Sequence, residues 1–325
     1  MSTNNKFRIF CVFFVVISLT ASDYCKASEI ANSLVAEAQK AVSAGLKSPD
    51  GRIRANAIEV VSTGHKTVFL PEIVELLGDP VVPVRFAAAV AIGDTQYEKA
   101  EKQLQQLLND PDLNVKIAAA YALCKMGQMQ YLPIIEKAAG VEDQTVGANA
   151  AWLLGKLKSA KSLAILYHLK DSKDSSDSVA FSATEAIAKI GDEKIYAKIW
   201  TMLISVSADD RYMGICAMGA LGGDKGANAI LTMLDDEVTE VRLTAAEQLG
   251  TLGDLSGQLV VLEYLTNSQR QEKIIAERCN TLAALAIGQI GTEKLVEYLP
   301  KLLKNDSPAV RLAAAKSVFI LAERK

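Results

Sequence analysis

Apolar residues recur along the chain in ten-residue blocks that have the spacing of an amphipathic helix. VRFAAAVAIG, which begins at Val84, returns as VRLTAAEQLG from Val241 and as VRLAAAKSVF from Val310. Positions one, five and nine of each block are small or apolar, and residues four apart lie on the same face of a helix. Each block therefore predicts one helix with a continuous apolar stripe.

The block occurs in nine copies along the sequence. The other six copies begin at Ile53, Val115, Val146, Val179, Met213 and Cys279. Successive copies start 31, 31, 31, 33, 34, 28, 38 and 31 residues apart. A nearly constant period in this range is typical of a solenoid, in which each repeat packs on its neighbours.

Position five of the block is alanine in all nine aligned copies. Because alanine lets neighbouring helices approach closely, we expect this column to be buried between repeats. The nine residues are Ala57, Ala88, Ala119, Ala150, Ala183, Ala217, Ala245, Ala283 and Ala314.

A second amphipathic stretch precedes each block, for example at residues 70–77 and 295–303. Turns such as Asp79-Pro80 and Asp110-Pro111 separate the two stretches. Proline disfavours continuation of the first helix, and aspartate caps the start of the second. The repeating unit is therefore predicted to be a helix A, a turn and a helix B.

This unit resembles the HEAT repeat, and its short period is most similar to the HEAT-like repeats of the phycobilisome-lyase type. The resemblance rests on the turn aspartate, the Val-Arg at the start of helix B and the Ala-Ala…Leu-Gly run, and it covers nearly all of residues 28–325. It implies an all-α, right-handed α-solenoid, a superhelix of about nine HEAT-like helix-turn-helix repeats, with helix B on the concave side.

Position two of the block is basic in five copies, at Arg54, Arg85, Lys116, Arg242 and Arg311. Aspartates at 79, 110 and 236 each precede one of these residues by six positions. In HEAT-type repeats such pairs resemble an internal ladder that ties the turns to helix B, and bidentate arginine suits that task. Because Gly147, Ala180, Gly214 and Asn280 replace the basic residue, the ladder is not expected in every repeat.

The first residues have the layout of a secretory signal peptide. Lys6 and Arg8 precede an apolar run at 9–21, and Cys25-Lys26-Ala27 ends in a small residue suited to cleavage. We expect a signal peptide at 1–27 and a mature chain at 28–325 that is periplasmic or secreted, without stable membrane insertion after cleavage. The alternatives are an uncleaved anchor and a lipoprotein.

Composition and charge exclude one class of partner. The chain carries a net charge of −3, with 50% hydrophobic and 6% aromatic residues. A nucleic-acid-binding protein needs clustered positive charge, so we expect no nucleic-acid partner.

Residues suited to catalysis are sparse. The two histidines are His65 and His168, and the predicted mature chain has three cysteines, at 124, 216 and 279. The predicted repeats hold these residues far apart, so we expect no enzyme activity, no metal and no cofactor. The alternative is an enzyme or enzyme-associated factor of the HEAT-repeat hydroxylase or bilin-lyase kind. Deoxyhypusine hydroxylases of this family bind iron through His-Glu pairs, and this sequence has no such dipeptide.

The face of helix B opposite the alanine column contains the candidate site. Position seven is apolar or aromatic in three successive repeats, at Val90, Tyr121 and Trp152. Position eleven is lysine in three successive repeats, and one asparagine at position four shares this face: Lys125, Lys156, Lys189 and Asn149. Because glutamates occupy position seven elsewhere, we expect it to face water.

These seven residues predict a groove that binds a protein or peptide partner. Aromatic side chains supply much of the energy at such surfaces, and the lysines favour an acidic segment. The alternative is that Tyr121 and Trp152 fill space between repeats. Two insertions, containing residues 171–177 and 269–273, are either tolerated loops or further partner contacts.

Overall fold

The computed structural model describes residues 26–64, 67–267 and 273–324, and this part of the chain is helical and contains no β-strand. The nine inner helices, which are the predicted B helices, are Gly51–Thr63, Val82–Asp94, Leu113–Lys125, Gln144–Leu157, Asp177–Ile190, Ala208–Leu221, Thr239–Thr251, Lys273–Ile290 and Pro308–Glu323. The outer helices are 26–46, Leu70–Glu75, Glu101–Leu107, Leu132–Ala138, Leu163–Asp171, Tyr196–Leu203, Gly223–Leu231, Gln258–Asn267, Glu293–Val296 and Leu299–Leu303.

Polar caps start several of the inner helices. The Asp50 carboxylate accepts a hydrogen bond from the Arg52 amide, and two B helices later Asp112 accepts one from the Asn114 amide. Ser176 and Ser207 cap two further B helices through their hydroxyl groups. Each cap satisfies an amide that has no partner within the helix, so these residues fix where helix B begins.

The alanine column lies between the helices, as predicted. All nine alanines at the predicted fifth position are fully buried. Glycines near the ends of the B helices bring the backbones even closer. A Cβ built on Gly155 would lie 2.6 Å from the Ala186 Cα atom of the next repeat, a separation that only glycine permits.

The sixth repeat begins three residues earlier than the sequence alignment placed it. Arg211 is the fourth residue of Ala208–Leu221, which is the position of Arg54 and Arg85 in their helices, whereas Gly214 was predicted there. A shift of three residues keeps apolar side chains on the same helix face, so the hydrophobic pattern alone did not reveal it.

The Asp–Arg ladder exists in part, and its connections differ from the prediction. Arg54 donates to both oxygens of Asp79 in the next repeat, at 2.9 and 2.8 Å. Arg85 and Arg211 bind the aspartate 25 residues onward in the same way. Burial raises the pKa of Asp79, but hydrogen bonds from Arg54 and the Val81 amide outweigh it, so the pKa lies below its usual value.

The solenoid closes on itself. Helix Pro308–Glu323 packs against Gly51–Thr63, so the nine B helices contact one another around a complete ring. Lys316 Nζ lies 3.2 Å from Glu59 Oε1 across this closure. A Cβ on Gly64 would lie 2.9 Å from Phe319 Cβ, so the first and ninth B helices pack closely against each other. The predicted solenoid is confirmed, and its concave side is the lumen of a closed ring.

Some expectations fall on residues outside the described ranges. Residues 1–25, His65 and residues 269–272 belong to this group. The predicted cleavage point after Ala27 lies just inside helix 26–46, where Ala27 is buried and Lys26 forms an ion pair with Glu293 at 3.3 Å. Among the described helices, none combines the length and the apolar character that crossing a membrane would require.

Candidate binding site in the ring lumen

A carboxylate in the lumen joins four successive repeats. Asp94, the last residue of the second B helix, accepts a hydrogen bond from the Tyr121 hydroxyl at 2.5 Å. It also pairs with Lys156 Nζ at 2.7 Å and accepts a hydrogen bond from the Ser62 hydroxyl at 3.2 Å. The contact with Lys156 reaches from the fourth repeat past the third to the second, so the lumen is narrow at this point.

Tyr121 is buried by this arrangement. Its ring is fully enclosed, and burial raises the pKa of its phenol well above the usual value, with the Asp94 charge adding to the effect. Val90 is also buried. The expectation that position seven faces water is therefore wrong for these two residues, because the curvature of the ring presses adjacent B helices together on their inner face.

Trp152 remains partly accessible in the lumen. Its ring lies 6.3 Å from that of Phe86, measured between centroids. The ammonium groups of Lys156 and Lys189 lie 4.9 and 5.8 Å from the Trp152 centroid, within the range of a cation–π interaction. Trp152 is thus held by its own chain, while one side of the ring still borders open space.

Two of the three lysines in the predicted row form ion pairs within the protein. Lys156 pairs with Asp94, and Lys189 pairs with Glu185 at 2.7 Å. Lys125 is half-buried at the end of its helix. Asn149 is also half-buried and donates to Asn114 Oδ1 at 2.9 Å, on the side of helix B near its start. The structure therefore brings Tyr121, Trp152 and Lys156 together but places Asn149 in a separate contact.

A cavity of about 330 Å³ opens beside Trp152, between repeats one, two and four. Phe86 and Trp152 supply its aromatic surface, and Glu59 and Asp94 supply carboxylates. Sequence reasoning missed Phe86, Glu59 and Asp94 as site residues. Asp94 was detectable, because it is the one acidic residue at position eleven and directly precedes the lysine row.

The other side of the lumen also contains ionisable groups. Burial raises the pKa of Glu247 to about 7, Lys316 opposes this rise, and the negative charge of Glu59 adds to it. Burial likewise raises the pKa of Cys216 to about 12, and the carboxylates of Glu247 and Glu185 contribute. The side chains that contribute to these two pKa shifts belong to repeats one, five, six, seven and nine.

The remaining candidate chemistry lies elsewhere. Cys124 and Cys279 are buried free thiols, and His168 is exposed on an outer helix. Within the described ranges, no three histidine, cysteine, aspartate or glutamate side chains are grouped closely enough to hold a metal ion.

Comparisons with known proteins agree with the repeat architecture. Family models described as HEAT repeats match residues 38–112 and 100–188, and a model described as the HEAT repeat matches 227–256. No curated protein sequence matches the chain.

Solved structures with similar folds include two named enzymes or enzyme subunits. Human deoxyhypusine hydroxylase in complex with glycerol is 16% identical, with a TM-score of 0.40 over 82% of this chain and 99% of the other. The CpcE–CpcF complex of phycocyanin lyase from Nostoc sp. PCC7120 is 19% identical, with a TM-score of 0.35 over 86% of this chain and 93% of the other. From the repeat matches and the helical architecture, the chain belongs to the HEAT-repeat proteins.

Proposed function

We propose that this protein is a non-enzymatic scaffold that binds a partner protein at the mouth of its ring. The observation that carries the proposal is the cavity beside Trp152, where two aromatic rings border open space in the lumen. Solenoid proteins use their inner surfaces for binding, and partly exposed aromatic side chains supply binding energy.

The cavity indicates what part of a partner could enter. Its volume of about 330 Å³ is at the lower end of ligand pockets, enough for one or two side chains but too small for a folded domain. Two of the three lysines that would attract an acidic segment, Lys156 and Lys189, are already paired with Asp94 and Glu185. We therefore expect the partner to insert an apolar or aromatic side chain. Acidic residues of the partner should contribute less to binding than the lysine row suggested.

Tryptophan fluorescence provides the test. The chain contains two tryptophans, so a Trp200→Phe background leaves Trp152 as the single reporter. Peptides selected from a random library should quench or shift this signal in a saturable way. Ala87→Leu, which fills the cavity from a half-buried lining position, should abolish the response. Ala164→Leu, on an exposed outer position, is the control and should leave it unchanged.

Two results would refute the binding proposal. One is a library selection that returns no peptide able to alter Trp152 fluorescence. The other is equal binding to the Ala87→Leu and Ala164→Leu variants, which would place the contact outside the cavity.

The same proposal assigns no catalytic role to the lumen. What supports this assignment is that the Cys216 thiol, with a pKa of about 12, stays protonated and weakly nucleophilic at neutral pH. Asp94 is committed to three partners within the chain. Stoichiometric iron in protein purified from its native source would contradict this assignment and favour the hydroxylase alternative.

Export is the second part of the proposal. Cleavage after Ala27 would remove the exposed ion pair between Lys26 and Glu293, a contact that contributes little to stability, together with the buried methyl group of Ala27 at the start of the first helix. The loss is confined to the first two residues of helix 26–46, so we expect a mature chain that begins at Ser28 to keep the ring. N-terminal sequencing of protein from the periplasm or medium should find Ser28 first, and an intact Met1 would end the export hypothesis.

A further inference from the structure

Arginines near the start of helix B share one binding geometry. Five of them donate from Nη1 to the backbone carbonyl six residues earlier, at 2.6–3.0 Å. Three of these also pair with an aspartate in the following repeat. The turn between helices A and B is thus a recurrent cradle for a guanidinium group. The five residues are Arg54, Arg85, Arg211, Arg242 and Arg311.

The fourth repeat keeps this turn but lacks the guanidinium. Gly147 is the fourth residue of Gln144–Leu157, the place of the arginine, and Ser172, 25 residues later, stands where the paired aspartate would be. A cavity of about 470 Å³ lies at this position and is lined by both residues.

Packing does not require the glycine. A Cβ on Gly147 would come no closer than 3.4 Å to any neighbour, which is ordinary van der Waals contact. Gly155 in the same helix differs, because its Cβ would lie 2.6 Å from a backbone atom. A side chain could therefore leave the backbone at Gly147, and the cavity is a vacancy at the guanidinium position that close packing of the glycine does not explain.

The walls of the vacancy present acceptors and negative charge. The Val141 carbonyl corresponds to the one that receives Nη1 elsewhere, and the next carbonyl, of Glu142, accepts a hydrogen bond from Gln144 Nε2 at 3.2 Å. Two exposed acidic residues, Glu142 and Asp174, line the cavity in place of the missing aspartate. His168 is the other ionisable residue in the lining.

The same surroundings disfavour an anion. Helix N-termini attract anions through free amides, but here Asp143 already accepts from the Thr145 and Val146 amides, and Ser176 accepts from the Val179 amide. We propose that this cavity binds the guanidinium group of an arginine side chain supplied by a partner protein. The site lies at the turn edge of repeats four and five, so it is independent of the lumen cavity.

Arginine suits the vacancy better than lysine. Its planar fork places several N–H donors at fixed angles, whereas an ammonium is a point charge with shorter reach. The probe is therefore N-acetyl-arginine amide, compared with the matching lysine amide, with the neutral isostere citrulline amide and with N-acetylglycine as an anion. Amide chemical shifts in the full chain report where each compound binds.

The expected result is a saturable shift of the Gly147 and Ser172 amides with the arginine compound. Lysine and citrulline should bind weaker by about tenfold or more, since each lacks either the fork or the charge. Gly147→Arg, which supplies the guanidinium from within the chain, should abolish the shifts. Ala164→Arg adds the same charge at an exposed site and should preserve them.

A second variant keeps the test sharp if Gly147→Arg folds poorly. The double change Glu142→Gln and Asp174→Asn leaves the helices intact and should weaken arginine binding. Equal shifts with arginine and lysine would reduce the effect to general electrostatic attraction and overturn the proposal. Shifts with N-acetylglycine alone, or none near Gly147 with any compound, would overturn it as well.

Discussion

Alanine substitutions at two glycines of one helix should change the free energy of unfolding in opposite directions. Gly147 and Gly155 both lie within Gln144–Leu157, where alanine is favoured over glycine by about 1 kcal/mol in helix propensity. They differ in what the new methyl group would meet. At Gly147 the nearest neighbours are the Ala139 carbonyl oxygen and a Val179 methyl group, both at 3.4 Å.

At Gly155 the methyl group would lie 2.6 Å from the Ala186 Cα atom and 2.7 Å from its Cβ atom. A backbone atom cannot rotate away, so the fourth and fifth B helices would have to separate. Overpacking of this kind costs about 1–3 kcal/mol, which exceeds the propensity gain. We expect Gly147→Ala to raise the free energy of unfolding by about 0.5–1 kcal/mol and Gly155→Ala to lower it by up to about 2 kcal/mol, which is the overpacking cost less the propensity gain.

Urea unfolding followed by circular dichroism measures both changes against the wild type. Equal slopes with urea concentration are required, because a repeat protein can lose cooperativity when one interface weakens. If both variants changed stability with the same sign and a similar size, the close approach of these helices would be wrong.

Three further predictions concern buried polar groups. The pKa of Glu247 in the folded protein, about 7, lies above its unfolded value, so ionisation of this carboxyl destabilises the fold as pH rises through this range. From pH 5 to 8 the unfolding free energy of the wild type should fall by about 1–3 kcal/mol relative to that of Glu247→Gln. Parallel curves of unfolding free energy against pH for the two proteins would contradict this. The thiols of Cys124, Cys216 and Cys279 have raised pKa values, so peptide mass spectrometry should find them unalkylated at pH 8 until the protein is unfolded. Arg211→Met strands a buried carboxylate and should lower the unfolding free energy by about 3–5 kcal/mol in calorimetry, whereas a loss below 1 kcal/mol would mean that the ion pair is solvated.

The sequence predicted the B helices because the signals that define them, the alanine column and the turn residues, lie within short stretches of the chain. The alanine column and the turn residues located eight of the nine B helices, and burial of the column followed from its size. The sixth repeat was misplaced because a shift of three residues preserves the apolar stripe, although Arg211 marks the true register. A pattern search that weighed the basic position together with alanine would have found it.

The site was harder to predict because it depends on how the repeats are arranged relative to one another around the ring. Tyr121 occupies a column that is charged elsewhere, yet its hydroxyl donates a hydrogen bond to a carboxylate of another repeat. Lys156 was expected to be free to bind an acidic partner segment, but it pairs with Asp94, which is 62 positions away in sequence. Such contacts depend on the angle between successive repeats, which no single repeat specifies.

Ring closure turns the concave side of the solenoid into the lumen that contains the proposed binding site, and the pair formed by Glu59 and Lys316 tests this closure most directly. Their charged groups are 3.2 Å apart although the residues are separated by 257 positions in sequence. A zero-length carbodiimide reagent joins a carboxyl to an amine only when the two are in contact.

Treatment of dilute, monomeric protein should give a cross-linked peptide pair that contains Glu59 and Lys316. The contact between Asp94 and Lys156, which joins the second and fourth repeats without crossing the closure, serves as the positive control. In an open solenoid the first and ninth B helices would be separated by many interhelical spacings of about 8–10 Å each. Recovery of the control cross-link without the Glu59–Lys316 cross-link would contradict the closed ring, whereas recovery of both in the monomer is the result that the closed ring predicts.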